Sequence, residues 1–139
     1  MVKKRVLIVE DEAGTRAALR EFLERSGYLS AEAADGLAGL AQAEDWHPDA
    51  ILLDVRMPGL DGYEVCRRLK ANPATKPIPV IVVTAVQDDV LNRLAYDAGA
   101  MACLLKPFRL DALLTIIQTA IAGAERRAKP KVKRERNVP

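Results

Sequence analysis

Four short runs in this chain, Val6–Val9, Ala50–Leu53, Pro79–Val83 and Met101–Leu105, are apolar from end to end. A run of this length suits a strand better than a helix, and a strand apolar on both sides needs cover on both faces. Between and after the runs, the apolar residues change to helical spacing. Ala18, Leu19, Phe22 and Leu23 make one stripe, and Leu37, Leu40 and Ala41 a second. Val65, Cys66 and Leu69 make a third, and Leu91, Leu94, Ala95 and Ala98 a fourth. Leu110, Leu113, Leu114, Ile117 and Ile121 form the last. Each follows the i, i+3, i+4 rule of a helix with one buried face. Buried strands alternating with amphipathic helices predict βα units around a mostly parallel sheet, an α/β fold with five such repeats. Tyr28–Ala33 differs: Tyr28, Ser30 and Glu32 alternate with Leu29, Ala31 and Ala33, as in a half-covered edge strand. Gly27 and Gly99 stand where helix-terminating glycines belong, and Asn72–Pro73 stops the third helix.

Length and composition narrow the class. The 139 residues are one domain's worth of chain, half of them hydrophobic and few aromatic. No apolar run approaches the roughly 20 residues of a membrane span. Lys3, Lys4 and Arg5 lead straight into a strand-like run, without the apolar stretch of a secretory leader. Cys66 and Cys103 form no metal or redox pair motif, which suits a reduced cytoplasmic setting. The net charge of +2 hides an asymmetry. Residues 125–139 hold seven Lys/Arg and two Glu, so the first 124 carry 14 basic and 17 acidic residues, a net of −3. The reading is a mildly acidic domain over 1–124 and a basic tail or truncated linker over 125–139. Neither a G-x-G-x-x-G nor a Walker-type glycine loop occurs, so nucleotide binding has no support.

The chemistry lies at the end of each buried run. Val6–Val9 ends at Glu10, Asp11 and Glu12, Ala50–Leu53 at Asp54, Pro79–Val83 at Thr84, and Met101–Leu105 at Lys106. In a parallel sheet these ends share one edge, where open α/β sheets bind ligands. Glu10, Asp11 and Asp54 would repel one another there, and a hard divalent cation taking oxygen ligands, such as Mg²⁺, resolves the conflict. Lys106 adds an ammonium and Thr84 a hydroxyl. A cation, an ammonium and a hydroxyl around a carboxylate make a cradle for a phosphoryl group, and the carboxylate can be its nucleophile.

Four segments carry a family resemblance: Val9-Glu10-Asp11-Glu12, the stretch from Asp54 through Pro58 to Asp61-Gly62, Val83-Thr84-Ala85 and Lys106-Pro107-Phe108. Over roughly residues 3–124 the chain resembles the response-regulator receiver domains of two-component systems. The resemblance implies a flavodoxin-like doubly wound sheet, strand order 2-1-3-4-5, and Asp54 as phosphoacceptor. It also implies Mg²⁺ on Asp11, Asp54 and the backbone carbonyl of Arg56, with Glu10 completing the acidic pocket. Thr84 and Lys106 would meet the phosphoryl oxygens. A cis bond before Pro107 is expected, and Arg56 and Val86 would flank the path of a hydrolytic water. The implied partners are a sensor histidine kinase or phosphotransfer protein and a downstream protein. No membrane partner is expected, direct nucleic-acid binding is not expected without an output domain, and the expected state is a monomer or a phosphorylation-dependent dimer.

Two positions depart from the family pattern. Cys103 stands where a switch aromatic is usual, and Met101-Ala102 replace the acidic residues that usually follow Gly-Ala. Tyr96, opposite the apolar stripe of its helix, is an aromatic expected on the output face. Cys66 is read as core, and the lone His47, in a loop with Trp46 and Pro48, as structural. Three alternatives stand beside the signalling module. They are a receiver fragment of a larger regulator, a pseudo-receiver binding module, and a small Mg²⁺ enzyme with an aspartyl intermediate. The last lacks an acid two residues after Asp54, where Arg56 stands.

Overall fold

A computed structural model describes residues 2–85 and 89–128, the side chains of 89–91 excepted. The elements run β1 (Arg5–Val9), α1 (Ala13–Arg25), β2 (Leu29–Ala33), α2 (Gly36–Trp46) and β3 (Ala50–Asp54). They continue as α3 (Gly62–Ala71), β4 (Val80–Thr84), α4 (Asp89–Asp97), β5 (Ala102–Leu105) and α5 (Leu110–Ala128). All five strands are parallel, in the order β2-β1-β3-β4-β5. This is the flavodoxin-like α/β fold, and β2 is an edge as its alternating sequence implies. Among the described helices none is long and apolar enough to cross a membrane.

The pleat sorts alternate strand residues into two cores. Val6, Ile8, Leu52, Ile81 and Val83 pack with Leu19 and Leu23 of α1 and with Leu113 and Ile117 of α5. Leu7, Val9, Ile51, Leu53, Val80 and Val82 pack on the other face with Val65, Cys66 and Leu69 of α3 and Ala95 of α4. Leu23 is fully buried, and burying a side chain of that size contributes roughly 1.5–3 kcal/mol. Helix starts are set by carboxylates: Asp35 accepts from the Ala38 N–H at 2.8 Å, and Asp61 from the Glu64 N–H at 3.0 Å. Gly27 and Gly99 adopt φ of 95° and 104° at helix ends, and α3 stops with Asn72 before Pro73. His47 caps α2 at φ 51°, a conformation this residue type visits more readily than most.

The fold corrects several expectations. The second apolar stripe is out of phase: Leu37 is 65% exposed, and α2 buries Gly36, Gly39 and Ala43 instead. A side chain at Gly39 would meet Val9 Cγ2 at 2.9 Å, so α2 lies too close to β1 for a leucine face. β5 is not buried on both faces, because it is the second edge, and Leu105 at its end is exposed. Leu94 and Leu110 are exposed and Ala18 lies on the open side of α1; the side chain of Leu91 lies outside the described residues. In the β2 region Tyr28 is buried and Leu29 exposed, since Tyr28 precedes the strand and packs beside Leu23. α5 also continues past Ala124 to Ala128, through good helix formers; residues 129–139 of the basic tail lie outside the described residues.

Candidate functional site

Sheet register brings the strand ends together. Val9 pairs with Leu53, Asp54 with Val83, and Thr84 with Leu105, so Glu10, Asp54, Thr84 and Lys106 follow one another across the carboxyl edge. The Lys106 N–H continues the ladder by donating to the Thr84 carbonyl at 2.7 Å. The bond from Lys106 to Pro107 is cis, as the resemblance implies.

Glu10, Asp11 and Asp54 each offer a carboxylate oxygen, all within 4.8 Å of one another. Glu10 and Asp54 are buried and Asp11 is exposed. Glu10 accepts from the Glu12 N–H at 3.1 Å and from Lys106 Nζ at 2.8 Å. Asp54 Oδ1 accepts from the Arg56 N–H at 3.0 Å, and Oδ2 from Lys106 Nζ at 3.4 Å. Burial alone would lower the Lys106 pKa, but the Glu10 hydrogen bond and the Asp54 charge outweigh it and hold it above the ordinary lysine value. Three carboxylates against one ammonium leave a charge of −2. The donors are all oxygen, which fits one hard divalent ion such as Mg²⁺.

Thr84 is buried at the end of β4. The side chain of Arg56 is exposed, and Val86 lies outside the described residues. The loop after β3 is held from behind by Gly62. Its N–H donates to the Val55 carbonyl at 3.2 Å, and a side chain there would come within 2.5 Å of Val55 Cα and 2.6 Å of the Asp54 carbonyl oxygen. Only a residue without Cβ lets α3 begin this close to Asp54. At the Cys103 position the thiol donates to Asn92 Oδ1 at 3.2 Å, linking β5 to α4, while Tyr96 is 51% exposed on the outer side of that helix.

The response regulator receiver domain is matched over residues 6–118. Response regulator MprA of Mycobacterium tuberculosis is 42% identical over 127 residues, 91% of this chain and 52% of that protein. The Mycobacterium avium protein of the same name is equally similar, so the chain spans about half the length of the curated relatives it matches. A CheY-like receiver domain protein from Methanospirillum hungatei superposes with a TM-score of 0.84 at 28% identity, covering 91% of this chain and all of that one. The receiver domain of a Pseudomonas aeruginosa sensor histidine kinase gives 0.79 at 34% identity, covering 87% of this chain and 99% of its own. That structure has a magnesium ion coordinated in its active-site cleft. With the family matched over most of its length and the fold shared with solved receivers, the chain belongs to the response regulator receiver domain family, the signalling modules of two-component systems.

Proposed function

We propose that this receiver takes a phosphoryl group onto Asp54 from the phosphohistidine of a sensor kinase or phosphotransfer protein, with Mg²⁺ as the required ion. The observation that carries this reading is Lys106 Nζ, within hydrogen-bond reach of both Glu10 and Asp54 at the sheet edge. A carboxylate oxygen of Asp54 attacks phosphorus as the donor's P–N bond breaks, and the leaving imidazole keeps the electron pair. Asp11, Asp54 and the Arg56 carbonyl would hold the ion, with Glu10 adding charge beside them; bound, it neutralises phosphoryl oxygens. Lys106 and the Thr84 hydroxyl bind those oxygens.

The phosphorylated form then changes contacts with a downstream protein, either separate or joined in a longer regulator, as the length of the curated relatives favours. Exposed Leu94 and Tyr96 on α4, Met101 just before β5, Leu105 at its end and Leu110 at the start of α5 offer apolar side chains for that contact. The acidic body gives no basic footprint for nucleic acid. The unpaired Cys66 and Cys103 suit a cytoplasmic setting.

Mg²⁺ dependence tests the reading. Thermal melts of wild type should rise with Mg²⁺, by a margin equivalent to about 2.7 kcal/mol at 100 times the dissociation constant. Asp11→Ala removes one of few ligands the ion accepts, so its melting temperature should barely respond. Equal Mg²⁺ shifts in the two proteins would rule out Asp11 as a ligand, and no shift in either would remove the ion from the mechanism.

A further inference from the structure

The last ladder pair between β1 and β2 is Val9 with Ala33, after which the chain turns through Glu10, Asp11 and Glu12 into α1. The Glu10 N–H is tied down by the Ala33 carbonyl at 3.0 Å. The carbonyls of Glu10 and Asp11 lie beyond the ladder and need another partner. Arg16, one turn into α1, supplies it: Nη1 donates to the Glu10 carbonyl at 2.8 Å and to the Asp11 carbonyl at 3.4 Å. The same guanidinium is aimed from behind by Glu32 of β2, whose Oε1 accepts from Nε at 3.0 Å. Glu32 Oε2 accepts from Arg20 at 2.8 Å. The Arg20 hydrogen bond and then that of Arg16 hold the Glu32 carboxyl below the usual carboxylate range, against the opposing effect of burial, so the anchor stays ionised at neutral pH.

We infer that Arg16 is a positioning residue, a guanidinium clamp between β2 and the Glu10–Asp11 backbone that aims the Asp11 carboxylate at the cation. Asp11 itself is exposed, and among the described residues its carboxylate has no hydrogen-bond partner, so its place is set by the backbone that Arg16 grips. A planar fork holds the carboxylate on Nε and the two carbonyls on Nη1 in a fixed, spread-out geometry, which the compact ammonium of a lysine does not reproduce. The inference rests on the proposed Mg²⁺ role of the acidic pocket. Residues that orient ligands in this way are typically worth about 10- to 100-fold in metal affinity.

Three variants of the whole chain separate aim from stability, with Mg²⁺ and Ca²⁺ affinities measured by calorimetric titration. Arg16→Met keeps the apolar stem and removes the donors; Mg²⁺ should bind about tenfold more weakly. Ca²⁺ should lose less, because it accepts irregular oxygen cages whereas Mg²⁺ demands near-octahedral placement. Arg16→Lys should recover only part of the loss. Arg20→Met breaks a contact to the same Glu32 without touching the backbone, and should leave both affinities unchanged. Wild type that binds Mg²⁺ alongside an Arg16→Met protein of equal affinity, or one weakened equally for both ions, would overturn the inference alone. Wild type that binds no Mg²⁺ would overturn the metal reading and the inference with it.

Discussion

Lys106→Met is expected to destabilise the protein and to slow aspartyl phosphate formation at the sheet edge. The ammonium is the one cation within hydrogen-bond distance of both Glu10 and Asp54 among the described residues. Removing one member of a fully buried pair costs about 3–5 kcal/mol, and water reaches this lysine, so about 1–3 kcal/mol is expected. Mg²⁺ should close most of that gap, because the ion takes over the role of countercharge. The pH dependence has a definite sign. The Lys106 pKa is raised by folding, so its contribution is complete below the ordinary value of about 10.4 and declines only as pH rises beyond that point. Wild type and variant should therefore differ by a constant amount through neutral pH and converge in alkali. Loss of a donor aimed at developing phosphoryl charge slows such reactions by about 10²–10³-fold, which sets the expected fall in aspartyl phosphate formation. Equal stability without Mg²⁺, together with an unchanged phosphorylation rate, would remove Lys106 from the site.

Gly62→Ala should be the most damaging single methyl in the molecule near the site. The added carbon would lie 2.5 Å from Val55 Cα and 2.6 Å from the Asp54 carbonyl oxygen, both backbone atoms that no rotamer change can move. Overpacking of this kind costs about 1–3 kcal/mol, and more where backbone must shift. Urea unfolding, followed by Trp46 fluorescence, should show a lower midpoint with the same slope. Because the displaced atoms belong to Asp54 and its neighbour, Mg²⁺ affinity should fall as well. Gly14→Ala is the counterpart: its methyl meets only the movable Glu12 carboxylate, at 3.3 Å, and stability should stay within about 1 kcal/mol of wild type. If Gly62→Ala unfolded no earlier than Gly14→Ala, α3 would not be packed against the Asp54 loop as described.

How far the sequence can be read depends on where the information resides. Asp54 and Lys106 could be read because each terminates a run that is apolar throughout, and parallel pairing brings such ends together regardless of helix detail. Their mutual contact is a consequence of topology alone. The α2 face could not be read, because spacing rules track large apolar side chains while this helix buries glycine against Val9. The exposure of Leu105 is hidden for a different reason: an edge strand whose open side also carries apolar residues reads like an interior strand. Arg16 carries no local signal at all. Its role depends on Glu32 lying beneath it in β2, 16 positions away, and a charged residue early in a helix ordinarily faces solvent. Gly62 sits within a recognisable motif, yet the need for glycine shows only when the Asp54 carbonyl is placed behind it.

The most direct measurement is the intact mass of wild type and Asp54→Asn after incubation with acetyl phosphate and Mg²⁺. Wild type should gain about 80 Da, the increment of one phosphoryl group, and lose it in alkali as an acyl phosphate does. Asp54→Asn, which keeps the shape of the side chain and the Arg56 N–H contact, should fold and gain nothing. A wild-type protein that gains no mass, or a folded Asp54→Asn that gains it in full, would contradict phosphorylation at Asp54.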